Sequence, residues 1–179
     1  MSLLAADCAE CGYHQRLFAD ILRSYKLDAQ TNVTIPVAYG WCDRCASVTA
    51  VEALPTLEKI DSDIEFFAHH FLSEDLQNLR DNQRNLRQWR VNRIGAAKCL
   101  ECGSTKLEVF KEVEDLDEHD TGNVLWHPLI HPKCGGKLSL RDVGFSRTMV
   151  WVFYTPDGDK IGTYDVHFSR GLVRRIEEV

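Results

Sequence analysis

Three C-x-x-C pairs, Cys8/Cys11, Cys42/Cys45 and Cys99/Cys102, hold six of the seven cysteines in this 179-residue chain. The seventh, Cys134, closes His131-Pro132-Lys133-Cys134, the same spacing with histidine in the first place. Four ligand pairs fill two tetrahedral sites with no cysteine left over. A structural Zn²⁺ takes four ligands from thiolate sulfur or imidazole nitrogen. A C-x-x-C turn lets two of them converge on one ion, and a small residue after the second ligand lets backbone amides approach its sulfur. Gly12, Gly103 and Gly135-Gly136 occupy that place in three turns, as a tight turn favours; Ala46 follows Cys45 in the other. One C-x-x-C reads as readily as a redox pair, but four pairs at one spacing point to metal.

Two structural zinc ions are therefore expected. Inserts of 30 residues between Cys11 and Cys42, and of 28 between Cys102 and His131, separate the pairs within each half. Sequential grouping gives site 1 as Cys8, Cys11, Cys42 and Cys45, and site 2 as Cys99, Cys102, His131 and Cys134. A cross-braced alternative lets the first and third pairs share an ion, but the gap of 53 residues between the inner pairs favours sequential grouping. His127 competes for the fourth place in site 2; His131 is preferred because it alone reproduces the x-x spacing. The segments CAECGY…WCDRC and CLECGS…HPKCGG resemble zinc ribbons, the rubredoxin-like knuckle family, over roughly half the chain. The resemblance implies hairpin-borne turns that clamp one ion per pair of knuckles. Both inserts exceed the roughly 15–20 residues usual for such pairs, so the ribbons are elaborated, and His131 departs from an all-cysteine site.

Between the knuckles, Leu17, Phe18, Ile21, Leu22 and Tyr25 recur with helical period. Val33, Ile35 and Val37 alternate as a short strand, with Pro36 suggesting an edge, and 38–54 reads as the second knuckle with its return strand. Ser62-Asp63-Ile64-Glu65 has the form of a capping box that starts a helix near Asp63. Ser73 before Glu74-Asp75 marks a second helix that runs to about Ile94 and stops at Gly95. Strands follow at 106–113, 137–143, 149–154, 161–168 and 171–176, with a hairpin turn at Pro156-Asp157-Gly158-Asp159. The expected fold class is α+β: two zinc-ribbon-like β units, the C-terminal one extended by hairpin strands, joined by a helical middle segment. The corresponding boundaries are 1–60, 61–96 and 97–179.

With 44% hydrophobic and 27% charged residues the chain is globular in composition. Its formal net charge of −6 argues against wholesale attraction to nucleic acid or anionic membranes. Met1 to Asp7 lacks a basic region and a long apolar run, which predicts no signal peptide. No apolar stretch is long enough to span a bilayer. A cytoplasmic location follows as an expectation, and in that reducing compartment paired cysteines read first as metal ligands.

Three surfaces stand out. Arg80, Arg84, Arg87, Arg90 and Arg93, followed by Lys98, can meet phosphates or an acidic partner; the plainer reading is a solvated helix face. Glu112, Glu114, Asp115, Asp117, Glu118 and Asp120 form an acidic run in the second insert, and read as a solvated loop. His69 and His70, adjacent on a helix, point about 100° apart and suit one metal poorly. There is no H-E-x-x-H, P-loop, G-x-S-x-G or G-x-G-x-x-G, and no histidine begins the H-x-E of a deaminase site. The expected function is a non-enzymatic zinc-binding interaction protein, of adaptor or inhibitor type, that binds another protein. The alternative is nucleic-acid binding through the arginine-rich helix over 80–98. A zinc-dependent hydrolase or nuclease, using the cluster His119, His127 and His131, comes third.

Overall fold

The computed structural model describes residues 2–18, 21–70, 77–111, 126–145, 150–167 and 172–176. Strands β1 (Ser2–Cys8) and β2 (Tyr13–Phe18) form an antiparallel hairpin across the first knuckle, with Leu3 opposite Phe18 and Cys8 opposite Tyr13. This overturns the helix expected over Leu17–Tyr25, because β2 and then β3 (Leu22–Lys26) occupy that stretch. Along β2 the half-buried Tyr13, Gln15 and Leu17 alternate with the exposed His14, Arg16 and Phe18. That period of two belongs to a strand. It outweighs the local helical spacing because β1 pairs with β2 along its whole length.

The run through Val33, Ile35 and Val37 divides at Pro36 into β4 (Asn32–Thr34) and β5 (Val37–Cys42). The second knuckle then leads into β6 (Ser47–Glu52). Helix α1 (Leu57–His70) starts well before the expected Asp63. Its cap is Thr56, whose Oγ1 accepts the Lys59 amide at 3.2 Å, with Pro55 ahead of it to discourage helix. Ser62 to Glu65 lies within the helix instead. Helix α2 (Gln77–Asn92) ends two residues before Ile94, and Gly95 follows with φ +122° as the stop signal requires. The expected cap at Ser73 lies outside the described residues. The side chains of His69 and His70 and the whole acidic run lie outside them too.

The C-terminal strands are β7 (Leu107–Val109), β8 (Leu129–Ile130), β9 (Lys137–Phe145), β10 (Val150–Tyr154), β11 (Lys160–His167) and β12 (Leu172–Ile176). Three sheets result, with strand orders β2-β1-β9-β8, β12-β11-β10-β3-β4 and β6-β5-β7. Neighbours are antiparallel apart from the parallel pair β3 and β10. The mixed helix-and-sheet class matches the expected α+β. Each sheet, however, draws strands from both sides of the helices. Pairing therefore crosses the boundaries expected at 60 and 97, and neither half closes its own ribbon. The physical reason is burial: Leu4 and Ala6 of β1 and Leu138 and Leu140 of β9 are all 2% exposed or less. They share one core with Tyr25, Trp41, Val48, Leu86, Trp89 and Tyr154.

A charged pair sits inside that core. Arg93 Nη2 donates to Glu52 Oε2 at 3.0 Å, with side chains 5% and 0% exposed. The Lys98 amide donates to the same oxygen at 2.9 Å, and the Tyr25 hydroxyl donates to Glu52 Oε1. Burial pushes the Tyr25 phenol far above its usual range, and the Glu52 carboxylate adds to this, so the hydroxyl keeps its proton as a donor. Tyr25 stacks on Trp89 with centroids 4.3 Å apart, and Trp89 Nε1 donates to the Pro156 carbonyl at 2.9 Å. The network thus ties β3, β6, α2 and the β10–β11 turn together. Removing one member of such a pair leaves an uncompensated buried charge, at a cost of about 3–5 kcal/mol. Arg93→Met is expected to lose stability on that scale in denaturant unfolding, whereas Arg84→Met, at an exposed pair with Asp81, leaves the midpoint near that of the parent protein.

Candidate metal centres

Strand register decides which knuckles meet. Cys8, the last residue of β1, lies opposite Leu138 near the start of β9. Across β9, Leu129 and Ile130 pair with Leu138 and Lys137. The first and fourth knuckles therefore project from the same end of one sheet. In the three-stranded sheet Cys42 lies opposite both Ser47 and Leu107. The Leu100 amide donates to Ala50 O at 2.9 Å, and the Asp43 amide to Lys106 O at 3.2 Å, which fastens the third knuckle beside the second.

Two four-residue clusters follow, Cys8/Cys11/His131/Cys134 and Cys42/Cys45/Cys99/Cys102, each able to hold a metal ion. All eight expected residues are brought together, but the expected partition is corrected. The sequential sets Cys8/Cys11/Cys42/Cys45 and Cys99/Cys102/His131/Cys134 do not form, and neither does the cross-brace of first with third. The arrangement is nested, outer pair with outer and inner with inner. His131 takes the imidazole place; His127 stands exposed, its amide donating to Lys111 O.

The spacing of the donor atoms fits an ion. Sulfur separations are 3.5 Å for Cys8–Cys134, 3.6 Å for Cys42–Cys102 and 3.8 Å for Cys45–Cys99. A tetrahedron with metal–sulfur bonds of about 2.3 Å has edges of about 3.8 Å, whereas a disulfide needs about 2.05 Å. His131 turns Nδ1 toward the thiols, 3.2 Å from both Cys11 Sγ and Cys134 Sγ.

The four turns share one backbone shape. The residue after the second ligand is left-handed in each: Gly12 at φ +71°, Ala46 at +52°, Gly103 at +72° and Gly135 at +74°. In the three glycine turns its amide donates to the carbonyl of the first ligand residue, at 3.0, 2.8 and 2.8 Å. Gly136 answers a different need. A Cβ there would lie 2.3 Å from Glu10 Cγ and 3.1 Å from Cys8 Sγ, so the fourth knuckle approaches the first only with glycine in that place.

Surroundings differ between the clusters. Burial raises the Cys99 thiol and pushes Cys45 far up, with the neighbouring thiols adding to the Cys45 shift. At Cys134 the Gly136 amide lowers the thiol, yet burial and the thiols of Cys8 and Cys11 carry it to about 11. At Cys8 and Cys102 burial is the largest single influence and raises the thiols, but hydrogen bonds from backbone amides and neighbouring thiols bring them below the ordinary value. His131 is fully buried, and its Nε2 has no hydrogen-bond partner among the described residues. Its ring packs against Trp41 at 4.8 Å and Tyr13 at 5.1 Å. The Tyr13 hydroxyl accepts the Val48 amide at 3.1 Å. Trp41, packed on the His131 ring, directly precedes Cys42 of the other cluster in β5. Tyr13 and Trp41 escaped the sequence reading; their adjacency to ligands was the available signal.

The arginines of α2 are largely committed within the molecule. Arg87 forks onto Asp61 at 2.5 and 3.2 Å, Arg84 reaches Asp81 at 3.3 Å, and Arg90 Nε donates to Pro55 O at 3.0 Å. Arg93 is the buried partner of Glu52. Arg80 is half-buried on the same helix.

No protein-family model matches the chain, and no curated protein or solved structure does either.

Ala46 is the one non-glycine left-handed residue among the described residues. That conformation costs an L-residue roughly 1–2 kcal/mol, offset in part by the greater freedom glycine gives the unfolded chain. Ala46→Gly is expected to stabilise the protein by about 0.5–1 kcal/mol, read as a rise in melting temperature; a fall would contradict this turn geometry.

Proposed function

We propose that two zinc ions fill these clusters as structural staples, in a non-enzymatic cytoplasmic protein of adaptor or inhibitor type whose partner is another protein. The observation that carries the reading is that each cluster offers four protein donors at tetrahedral spacing. Thiolate-rich sets of this kind suit zinc. Four protein ligands complete the tetrahedron and leave no position for a reacting water, whereas a catalytic zinc keeps one open. A structural site of this kind contributes about 10–16 kcal/mol of apparent binding energy coupled to folding, enough to sustain a chain with long inserts.

The choice of a protein partner rests on charge and surface. The chain carries a net charge of −6, and the fork of Arg87 onto Asp61 and the burial of Arg93 weaken the case for a phosphate-binding stripe on α2. Exposed apolar side chains, Ile94 at 91% and Ile130 at 64%, suit a protein surface better than a nucleic-acid one. No helix among the described residues is long and apolar enough to cross a membrane.

Elemental analysis of protein purified without added metal is expected to give two equivalents of zinc. Chelation is expected to lower the melting temperature by more than about 10 °C, since each kcal/mol shifts a chain of this size by about 2–4 °C. Less than one equivalent, or an unchanged melting curve, would overturn the reading.

A further inference from the structure

Two arginines among the described residues are buried, and their circumstances differ. Arg93 is answered by the buried carboxylate of Glu52. Arg23, on β3, is 4% exposed. Its Nη1 donates to the Ile21 carbonyl at 3.3 Å, its charge offsets part of the rise that burial gives the Tyr154 phenol, and its Nε, sealed from solvent, has no hydrogen-bond partner among the described residues. No carboxylate among the described residues comes within ion-pairing distance of it. A guanidinium is always charged, and a buried charge is costly unless it is paired.

Arg23 also lines a cleft of about 270 Å³ between β2 and β6. Leu17, Phe18, Ile21 and Val48 give that cleft an apolar wall. Phe18 is 48% exposed. Arg16 and Glu101 also line the cleft, so two cations and one acid border it. The volume lies just below the range of ordinary small-molecule sites. A cleft bordered by apolar side chains and by a buried guanidinium that has no carboxylate among the described residues selects for ligand chemistry, because guanidinium and carboxylate match as two parallel hydrogen bonds.

We infer that this cleft is a binding site for a small organic acid, a single carboxylate on an apolar body of one ring or a short chain, with the carboxylate on Arg23 and the body against Leu17, Phe18 and Val48. The competing source of negative charge is internal. Cys45 lines the same cleft, and four thiolates around a divalent ion carry a net charge of −2. The cleft borders one of the proposed zinc clusters at Cys45, and the test separates the two roles.

The test uses the full-length protein as purified, with 3-phenylpropionate as probe and the uncharged 3-phenylpropanamide as control, followed by NMR. The acid is expected to shift the Arg23 Nε–H and the methyl groups of Leu17 and Val48, and the amide to bind at least tenfold more weakly. Arg23→Gln is expected to weaken acid binding at least tenfold while the metal content stays as in the parent protein. The acid-against-amide comparison needs no variant, so it holds even if Arg23→Gln folds poorly. Equal binding of acid and amide, or no shift with the acid, overturns the proposal. Loss of metal from Arg23→Gln without acid-over-amide preference assigns Arg23 to the thiolate cluster and also overturns it.

Discussion

The pairing of β1 with β9 is the constraint on which the remaining structure depends. It sets the first strand beside one from the C-terminal half of the chain and brings the first and fourth knuckles to one end of that sheet. Everything between them must then form a closed excursion, inside which β5, β6 and β7 bring the second and third knuckles together. The loops are long: Cys11 and His131 are 120 residues apart, and Cys45 and Cys99 are 54 apart. Loop-closure entropy grows only as the logarithm of length, about 0.6 kcal/mol per doubling. Going from the 31-residue separation of Cys11 and Cys42 to 120 is about two doublings, or roughly 1.2 kcal/mol. Burying β1 against β9, with Leu4, Ala6, Leu138 and Leu140 sealed in the core, outweighs that penalty.

This arithmetic explains what the sequence did and did not reveal. The eight ligand candidates were legible because metal chemistry fixes residue type and local spacing, and the turn glycines were legible because the left-handed residue after the second ligand recurs in every knuckle. The Pro156–Asp159 hairpin and the strands around it were legible for the same local reason. The partition of the ligands was not, because C-x-x-C spacing carries no information about which remote turn completes a site. Proximity along the chain favoured sequential sets by an entropy margin too small to decide the matter. The helix expected over Leu17–Tyr25 failed in a similar way. Its apolar spacing was real, but the alternation of Tyr13, Gln15 and Leu17 with His14 and Arg16 was a second signal, and pairing with β1 selected it.

The charged residues make the same point from the opposite side. The arginine series on α2 reads along the sequence as one stripe. In the fold it divides: Arg93 goes inward to Glu52, Arg87 bridges to α1 at Asp61, and Arg90 fastens the chain at Pro55. What appears as a surface for a partner serves largely to hold α2 to α1, to Pro55 and, through Arg93, to β6. Arg23, which attracted no notice in the sequence, is instead the buried cation without a carboxylate among the described residues. Local pattern finds chemistry that depends on spacing; charges placed by tertiary packing emerge only once the strands are in register.

The central claim is that two ions are held in nested rather than sequential sets. Cadmium-113 substitution, with NMR correlation of each metal to the protons of its ligands, tests it most directly. One ion is predicted to couple to the β-protons of Cys8, Cys11 and Cys134 and to the His131 ring, and the other to the β-protons of Cys42, Cys45, Cys99 and Cys102. A single ion coupled to Cys8, Cys11, Cys42 and Cys45 together would contradict the account.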